Sequence, residues 1–205
     1  MERIVIFGST GMTGLCAVEA AVQKGLNVRA FVRNPSLLPD HLRDSVEVVK
    51  GDVLDYKDVL NAIKGVTAVV VVLGTRNDLK ATTVLSEGTK NIVQAMKELN
   101  VEIISICLSA FLFYEPEKVP PVFKEINSDH QRQMDIVKGS GLKFIIVNPP
   151  HIADMPGLEY TISQDTPGKS RVITKFALGK FLIDSILLPE RYGHIYGICN
   201  KAQCA

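Results

Sequence analysis

The sequence lacks paired cysteines. Its four cysteines, Cys16, Cys107, Cys199 and Cys204, are scattered along the chain without a Cys-x-x-Cys pair. This pattern is typical of reduced thiols in the cytoplasm and argues against a disulfide framework or a zinc site. We therefore expect a cytoplasmic protein that binds no metal.

The sequence also lacks an excess of charge and a long apolar run. Its 23 lysines and arginines against 22 aspartates and glutamates give a net charge of +1, so neither nucleic-acid binding nor electrostatic membrane attachment is expected. No apolar stretch reaches the roughly 18 residues of a transmembrane helix, and a glycine-rich segment stands where a signal peptide would begin. No segment gives a firm sign of an oligomer interface.

The sequence does contain alternating apolar runs and helical patterns over 205 residues, of which 46% are hydrophobic. Strands are predicted at 3–7, 28–32, 46–49, 68–73, 103–107 and 144–147. Helices are predicted between them at 13–24, 57–64, 82–99 and 128–138. Strands that alternate with helices imply crossover connections. We therefore predict one domain over residues 1–205, a Rossmann-like doubly wound α/β fold with a mostly parallel sheet and helices on both faces.

The amino-terminal segment carries the clearest functional signal. Four apolar residues from Ile4 run into Gly8, Gly11 and Gly14, and a helical pattern follows. A strand that ends at glycines and restarts as a helix directs bare backbone N–H groups at an anion, usually a nucleotide pyrophosphate. Gly8 and Gly11 would let the backbone approach the phosphates, and Gly14 would let the helix pack closely. The segment predicts a dinucleotide site.

The ends of the next strands bear on the choice of cofactor. NAD sites usually place an acid after the second strand, but this chain has Arg33 there, whose guanidinium can pair with a 2′-phosphate. Arg33 therefore favours NADPH, although a solvated arginine at a strand end is the alternative. Asp52 follows the third strand as an adenine contact or a turn cap. Arg76 follows the fourth as a charge partner or a solvated residue.

Six motifs together resemble the biliverdin-IXβ reductase/flavin reductase family, a single-domain branch of the atypical short-chain dehydrogenase-like proteins. They include Gly-Ser-Thr-Gly-Met-Thr-Gly at 8–14, Leu-Gly-Thr-Arg-Asn-Asp-Leu at 73–79 and Pro-Pro-His-Ile at 149–152, with shorter matches at 86–88, 109–111 and 118–121. The resemblance implies a Rossmann-like monomer that binds NADPH. It also implies reduction of flavins (FMN, FAD and riboflavin) and of linear tetrapyrroles, such as biliverdin-IXβ to bilirubin-IXβ in heme catabolism.

The resemblance also implies site residues by position. Those at the pyrophosphate, 2′-phosphate and adenine would be Gly8, Thr10, Gly11, Thr13, Arg33, Ser36, Asp52 and Val53. Those nearer the ribose and nicotinamide would be Leu73, Gly74, Arg76, Cys107, His130, His151 and Ile152. Leu37, Leu108 and Val122 depart from the family, which often has a basic residue, a hydroxyl residue and an arginine there. The first departure leaves more of the 2′-phosphate to Arg33 and Ser36, and the other two affect substrate affinity.

Ser109 and His151 are the predicted catalytic residues. They follow the fifth and sixth strands, whose ends face the ligand edge of such a sheet. Hydride transfer needs mainly orientation from the protein, because the cofactor supplies the chemistry. The hydroxyl of Ser109 can bond a substrate carbonyl or pass a proton, and the imidazole of His151 can bond the cofactor carboxamide or the substrate. The alternatives are a turn cap for Ser109 and packing beside Pro149 and Pro150 for His151.

Two segments, about 109–124 and 149–175, are predicted to form the substrate lip. Phe111 would offer an apolar wall to a flat ligand, although phenylalanine more often packs in a core. Arg171 would meet acidic groups of the substrate or lie in solvent. His130, at the start of a helix, would face the nicotinamide or the surface.

A rival dehydrogenase pattern, Tyr-x-x-x-Lys, occurs at Tyr114 and Lys118. Its chemistry needs both side chains on one helical face, and Pro116 between them disrupts a helix interior. We therefore do not assign it a catalytic role. Two other functions stay open: reduction of another flat acceptor such as a quinone, and an NADP-binding redox sensor that contacts a protein partner without turnover.

Overall fold

In the computed structural model, which describes residues 2–201, the chain forms ten strands and six α-helices. The strands are β1 (Arg3–Phe7), β2 (Asn27–Val32), β3 (Glu47–Lys50), β4 (Ala68–Val71), β5 (Ile103–Cys107), β6 (Lys143–Asn148), β7 (His151–Ala153), β8 (Tyr160–Gln164), β9 (Val172–Thr174) and β10 (His194–Asn200). The helices are α1 (Met12–Gln23), α2 (Asp40–Arg43), α3 (Tyr56–Ile63), α4 (Val84–Glu98), α5 (Lys124–Lys138) and α6 (Lys175–Ile186). Cys204 lies outside the described residues.

Eight strands form one sheet in the order β3-β2-β1-β4-β5-β6-β10-β8, and β7 pairs with β9 separately. β8 runs antiparallel to β10, whereas the other neighbours in the large sheet run parallel. After β3 the chain returns to the far side of β1, which creates a switch in strand order between β1 and β4. Ligands of open α/β sheets bind at the carboxyl edge beside such a switch. The predicted Rossmann-like fold is confirmed.

Helices cover both faces of the sheet. One core cluster lies between the sheet and helices α1 and α6, and the other lies under α3, α4 and α5. On the first face α1 and α6 pack in close contact: a Cβ atom added at Gly179 would stand 2.8 Å from the backbone of Cys16 and Ala17. The near-continuous apolar strands are buried on both faces, as parallel strands require.

Local signals explain where several helices begin and end. Gly25 follows α1 with a φ of +74°, the left-handed conformation that glycine adopts readily. The carboxylate of Asp55 accepts hydrogen bonds from the N–H groups of Lys57 (2.8 Å) and Asp58 (3.3 Å) and caps α3. The buried Arg29 of β2 donates to the carbonyls of Ala62 (2.6 Å) and Lys64 (2.9 Å) at the other end of α3.

The carboxyl-terminal third differs most from prediction. The strand and helix assignments ended near residue 148, yet α6 and β10 are buried parts of the core. The segment predicted as a lip at 149–175 also contributes β7, β8 and β9. Helix α5 begins at Lys124 rather than near 128. Within residues 2–201 no helix is both long enough and apolar enough to cross a membrane.

Candidate active site at the carboxyl edge of the sheet

The glycine-rich segment forms a tight turn between β1 and α1. Gly8 has a φ of +86°, and a Cβ atom there would stand 2.2 Å from the carbonyl oxygen of Val72. A Cβ atom at Gly14 would stand 2.0 Å from the carbonyl oxygen of Gly8. Both distances are far below any real contact, so only glycine fits at either position. The turn therefore has the backbone shape that a dinucleotide pyrophosphate requires.

The first turn of α1 is open to an anion. Gly11, the N-cap residue just before α1, provides no side-chain cap, and the first turn contains no acidic residue. The N–H of Gly11 donates to the carbonyl of Gly8 at 3.0 Å, which closes the turn below. The first backbone N–H groups of a helix have no partner within the helix and carry partial positive charge. Thr10 is half-buried and Thr13 is buried beside them.

Arg33 and Ser36 both follow the end of β2. Arg33 is exposed directly after the strand. The side-chain oxygen of Asn34 accepts hydrogen bonds from the N–H (3.1 Å) and the hydroxyl (2.9 Å) of Ser36. This turn leaves an exposed guanidinium and a hydroxyl close in sequence at the edge where the 2′-phosphate is predicted.

Asp52 follows β3 beside Arg33, because the N–H of Gly51 donates to the carbonyl of Val32 at 3.0 Å. The carboxylate of Asp52 accepts a hydrogen bond from the N–H of Leu54 at 3.0 Å. Asp52 therefore makes the predicted turn bond through Oδ1, and the adenine contact stays a prediction for the rest of its carboxylate. Val53 is buried, and its methyl groups would stand 2.8 Å from a Cβ atom at Gly88.

The turn after β4 runs past the open phosphate loop. Leu73 is half-buried and Gly74 is exposed, with open space around its Cα. Arg76 and Asn77 adopt left-handed backbone conformations, with φ values of 54° and 69°. These conformations bend the chain sharply and leave the side chain of Arg76 in solvent.

Cys107 ends β5 with its side chain buried in the α1–α6 cluster. Burial raises the pKa of its thiol to about 12, so the thiol stays protonated at neutral pH. The predicted contact of Cys107 with the nicotinamide would therefore have to come from its backbone.

Ser109 and Phe111 lie in the short 3₁₀ turn that follows β5. The hydroxyl oxygen of Ser109 accepts a hydrogen bond from the N–H of Phe111 at 3.2 Å, which is the turn-cap alternative. The ring of Phe111 stacks on Phe123, with centroids 5.0 Å apart and planes at 30°. Tyr114, 45% exposed, lies at 6.5 Å from Phe111. The turn therefore offers a half-exposed aromatic surface.

His151 and Arg171 are neighbours through the pairing of β7 with β9. The N–H of His151 donates to the carbonyl of Arg171 at 3.2 Å, and both residues are exposed. Ile152 is half-buried between them and the core. The structure thus brings a predicted catalytic residue beside a predicted substrate residue, at the end of β6.

His130 lies in a mostly buried polar network. Its Nδ1 lies 3.1 Å from the side-chain oxygen of Gln133, whose Nε2 donates to the hydroxyl of Thr89 at 2.8 Å. Burial lowers the pKa of His130, opposed by the bond to Gln133 and the charge of Asp129. His130 is therefore neutral near pH 7 and held by the contact between α4 and α5.

The Tyr114–Lys118 pair does not share a helix. Tyr114 ends one 3₁₀ turn and Lys118 ends the next, which begins at Pro116. Both side chains are exposed. The expectation that Pro116 prevents a shared helix is confirmed, and the lack of a catalytic role for this pair stays a prediction.

Two residues near the site were missed by sequence reasoning. Asp129 is fully buried, and its carboxylate accepts from the N–H groups of Leu85 (3.0 Å) and Ser86 (3.4 Å) at the start of α4. Arg132 also donates to it at 3.0 Å. Asn148, at the end of β6, is likewise buried. An amide that ends an apolar strand was the available signal for Asn148, whereas no local pattern marks Asp129.

Comparisons with curated proteins find partial matches. A 3-beta-hydroxysteroid dehydrogenase of Mycolicibacterium neoaurum is 30% identical over 113 residues, which are 50% of this chain and 30% of that protein. The matches span 18–40% of the length of the curated relatives.

Two solved structures share the fold across nearly the whole chain. A Rossmann-fold NAD(P)-binding protein of Shigella flexneri has 21% identity and a TM-score of 0.79, covering 100% of this chain and 98% of that one. An anaerobillin reductase of Escherichia coli O157:H7 has 14% identity and a TM-score of 0.82, covering 99% of both chains. The model of the NAD(P)H-binding family matches residues 8–189. With its glycine turn and open helix end, the chain belongs to the NAD(P)H-binding family.

Proposed function

We propose that this protein is an NADPH-dependent reductase that transfers hydride to flavins and to linear tetrapyrroles. The observation that carries the proposal is the open first turn of α1 with Arg33 at the same edge of the sheet. The helix end suits a pyrophosphate, and the guanidinium suits an additional phosphate on the ribose. An acid in place of Arg33 would have favoured NADH.

The acceptor side supports a flat, conjugated substrate. The stacked rings of Phe111 and Phe123 give a half-exposed aromatic face beside the ends of β5 and β6. Arg171, exposed next to His151, suits the propionates of a tetrapyrrole or the phosphate of FMN. One protein of the same fold is an anaerobillin reductase, which is consistent with an acceptor of this class.

The residues of the chain would mainly bind the acceptor, orient it and supply it with protons. The reduced nicotinamide supplies a hydride to the acceptor. The aromatic face holds the acceptor plane, while the hydroxyl of Ser109 hydrogen-bonds an acceptor carbonyl. His151 is exposed and can carry a proton from solvent to the reduced acceptor. No fixed proton donor is required, because flavins and bilins exchange protons with water once reduced.

A second candidate function is an NADP-binding redox sensor without turnover. It is favoured by one observation: the hydroxyl of Ser109 already accepts a hydrogen bond within its own turn. The Tyr–Lys pair of the dehydrogenases is also not assembled. Such a protein would bind NADPH and contact a partner without reducing a small acceptor.

Steady-state loss of NADPH absorbance tests both candidates. FMN, FAD, riboflavin, biliverdin-IXβ and the quinone menadione would each be titrated, with NADH as the comparison cofactor. The reductase proposal expects turnover with flavins and biliverdin-IXβ that is faster with NADPH than with NADH. Turnover with menadione alone would point to a quinone reductase. Tight NADPH binding by calorimetry without any turnover would point to the sensor.

A further inference from the structure

Asn148 carries a buried carboxamide that the fold does not use. It is the last residue of β6 and is only 1% exposed. Among residues 2–201, neither its Nδ2 nor its Oδ1 has a hydrogen-bond partner. Buried amides are almost always paired, because burying an unpaired donor and acceptor is costly. The lack of a partner for both polar atoms of one buried side chain therefore needs an explanation.

The neighbouring positions on the same face of the sheet explain why Asn148 is unpaired. Ile146, two residues earlier, packs in the α3–α4–α5 cluster, so the side chain of Asn148 projects toward that layer. On one side Asn148 pairs in register with Gly197, which has no side chain. On the other side, one residue beyond the Cys107–Val147 pair, stands the apolar Leu108. Neither neighbour can offer a polar side chain.

The backbone around Asn148 is also engaged elsewhere. The segment 166–168 passes directly over Gly197, where a Cβ atom would stand 2.2 Å from the carbonyl oxygen of Thr166. The N–H of Leu108 donates to the carbonyl of Val147 (2.8 Å), and that of Ala110 donates to the carbonyl of Pro149 (2.9 Å). The carboxamide therefore lies beside backbone groups after β5 and β6 that already pair with one another, at the edge that also holds Ser109.

We propose that Asn148 is a specificity-determining residue that pairs with a cyclic amide edge of the hydride acceptor. The inference rests on the proposed reductase function and specifies its substrate class. A carboxamide donates through N–H and accepts through C=O, so its complement is a ring N–H beside a ring C=O. The pyrimidine edge of a flavin and the lactam rings of a bilin both present this pair. Quinones and ketosteroids present acceptors only.

The pairing uses a side chain that turns toward the carboxyl edge when the acceptor enters. The 3₁₀ turn after β5, from Ala110 to Phe113, lies over this edge and is half-exposed. In our proposal this turn moves aside, so that the amide reaches the acceptor plane that Phe111 supports. Both polar atoms of the amide, which have no partner among residues 2–201, then pair with the bound acceptor.

Lumiflavin and 3-methyllumiflavin provide the test, because the methyl group removes the ring N–H and keeps the flavin. We expect the wild-type kcat/KM to be about tenfold higher for lumiflavin than for its methyl derivative, as loss of one buried hydrogen bond implies. In Asn148→Leu this preference should fall to within about twofold. With menadione, Asn148→Leu and the wild type should agree within about twofold. Asn148→Ala serves as a second variant if the leucine packs badly.

Thermal unfolding gives a readout that does not depend on turnover. Asn148→Leu should keep or raise the Tm, because it removes two unpaired polar atoms from the interior. The matched control is Ser105→Ala: Ser105 is also fully buried in the sheet, but its hydroxyl lies 3.2 Å from that of Ser185. Loss of this satisfied bond should lower the Tm and leave the flavin preference unchanged.

The outcomes separate the inference from the proposed function. An unchanged preference for lumiflavin in both Asn148 variants, or an equal loss with lumiflavin and menadione, overturns the role of Asn148. If the wild type turns over no acceptor, fluorescence quenching by lumiflavin and its methyl derivative gives the same comparison as binding. Asn148-dependent discrimination in binding would then support the inference while the reductase function fails. Equal binding of lumiflavin and its methyl derivative by the wild type, or no binding of either, would overturn the inference as well.

Discussion

Gly14 lies directly against the backbone of Gly8, so that a Cβ atom at position 14 would stand 2.0 Å from the carbonyl oxygen of Gly8. This contact holds the first turn of α1 against the end of β1. Any side chain at position 14 must push the helix away from the turn, because the opposing atom is backbone and has nowhere to move.

We therefore expect Gly14→Ala to lower the free energy of unfolding by about 1–3 kcal/mol, as overpacking does. The affinity for NADPH should fall more than about tenfold, since the N–H groups of the turn lose their alignment. Urea denaturation and calorimetry measure the two effects. Gly74→Ala is the matched control for stability, because Gly74 has open space around it. A variant as stable as Gly74→Ala would show that the contact is less tight than described.

Arg33→Ala should weaken the binding of NADPH far more than the binding of NADH. A guanidinium–phosphate pair at an exposed site makes charge-assisted hydrogen bonds, so we expect an increase of about tenfold to a hundredfold in the Kd for NADPH. The Kd for NADH should change by less than about threefold. Calorimetry with both cofactors measures this difference. Lys97→Ala, which removes an equal charge from the far end of α4, should change neither, and equal losses for both cofactors would remove Arg33 as the phosphate contact.

Ser109 combines a structural bond with a predicted role in turnover, and three variants separate the two. Ser109→Ala loses the acceptor for the N–H of Phe111, so stability should fall by about 0.5–2 kcal/mol. Ser109→Asn keeps a cap but no hydroxyl, and Ser109→Thr keeps both. If the hydroxyl hydrogen-bonds the hydride acceptor, kcat should fall in the alanine and asparagine variants and recover in the threonine variant. The affinity for NADPH should stay unchanged in all three. Recovery by asparagine would reduce Ser109 to a cap.

The stability of the protein should fall as the pH is lowered, in part through His130. Burial lowers the pKa of this residue in the folded protein, so the unfolded chain takes up a proton that the folded protein does not. Above the pKa of the unfolded state, this effect does not change the free energy of unfolding. As the pH falls below that pKa, protonation of the unfolded chain lowers the free energy of unfolding.

Denaturation of the wild type and His130→Asn at about pH 7.5 and about pH 5 measures this contribution. The difference in unfolding free energy between the two proteins should shift in favour of the variant at the lower pH. Asp129 and the other nearby groups are common to both proteins and cancel to first order. A difference that is constant across the two pH values would contradict a lowered pKa.

The first two-thirds of the fold could be predicted because each element carries its own pattern. The apolar run that ends at Gly8, the cap at Asp55 and the stop at Gly25 are local signals, and each matches its observed element. The carboxyl-terminal third has weaker local signals. β10 contains Gly197 in its middle, where glycine is required by the segment that crosses it, and such a residue reads as a turn in sequence alone.

The site was predictable where function depends on backbone shape and less so where it depends on pairing between distant segments. Asp129 reaches residues 44 positions away, and the isolation of Asn148 results from Leu108 and Gly197 on neighbouring strands. Neither relationship has a spacing that a single sequence reveals. Asp52 carried two interpretations, and the structure shows the turn bond while the adenine contact stays a prediction.

The helices that begin at the carboxyl edge of the sheet differ in the acidic residues near their first turns, and this difference has a practical consequence. α3 and α4 are closed by the carboxylates of Asp55 and Asp129, and α5 carries Glu125 in its first turn, whereas α1 has neither. Small inorganic polyanions such as pyrophosphate or sulfate are thus expected to bind at the first turn of α1, where the coenzyme pyrophosphate is predicted. They should act as competitive inhibitors, which makes the choice of assay buffer decisive for any apparent coenzyme affinity.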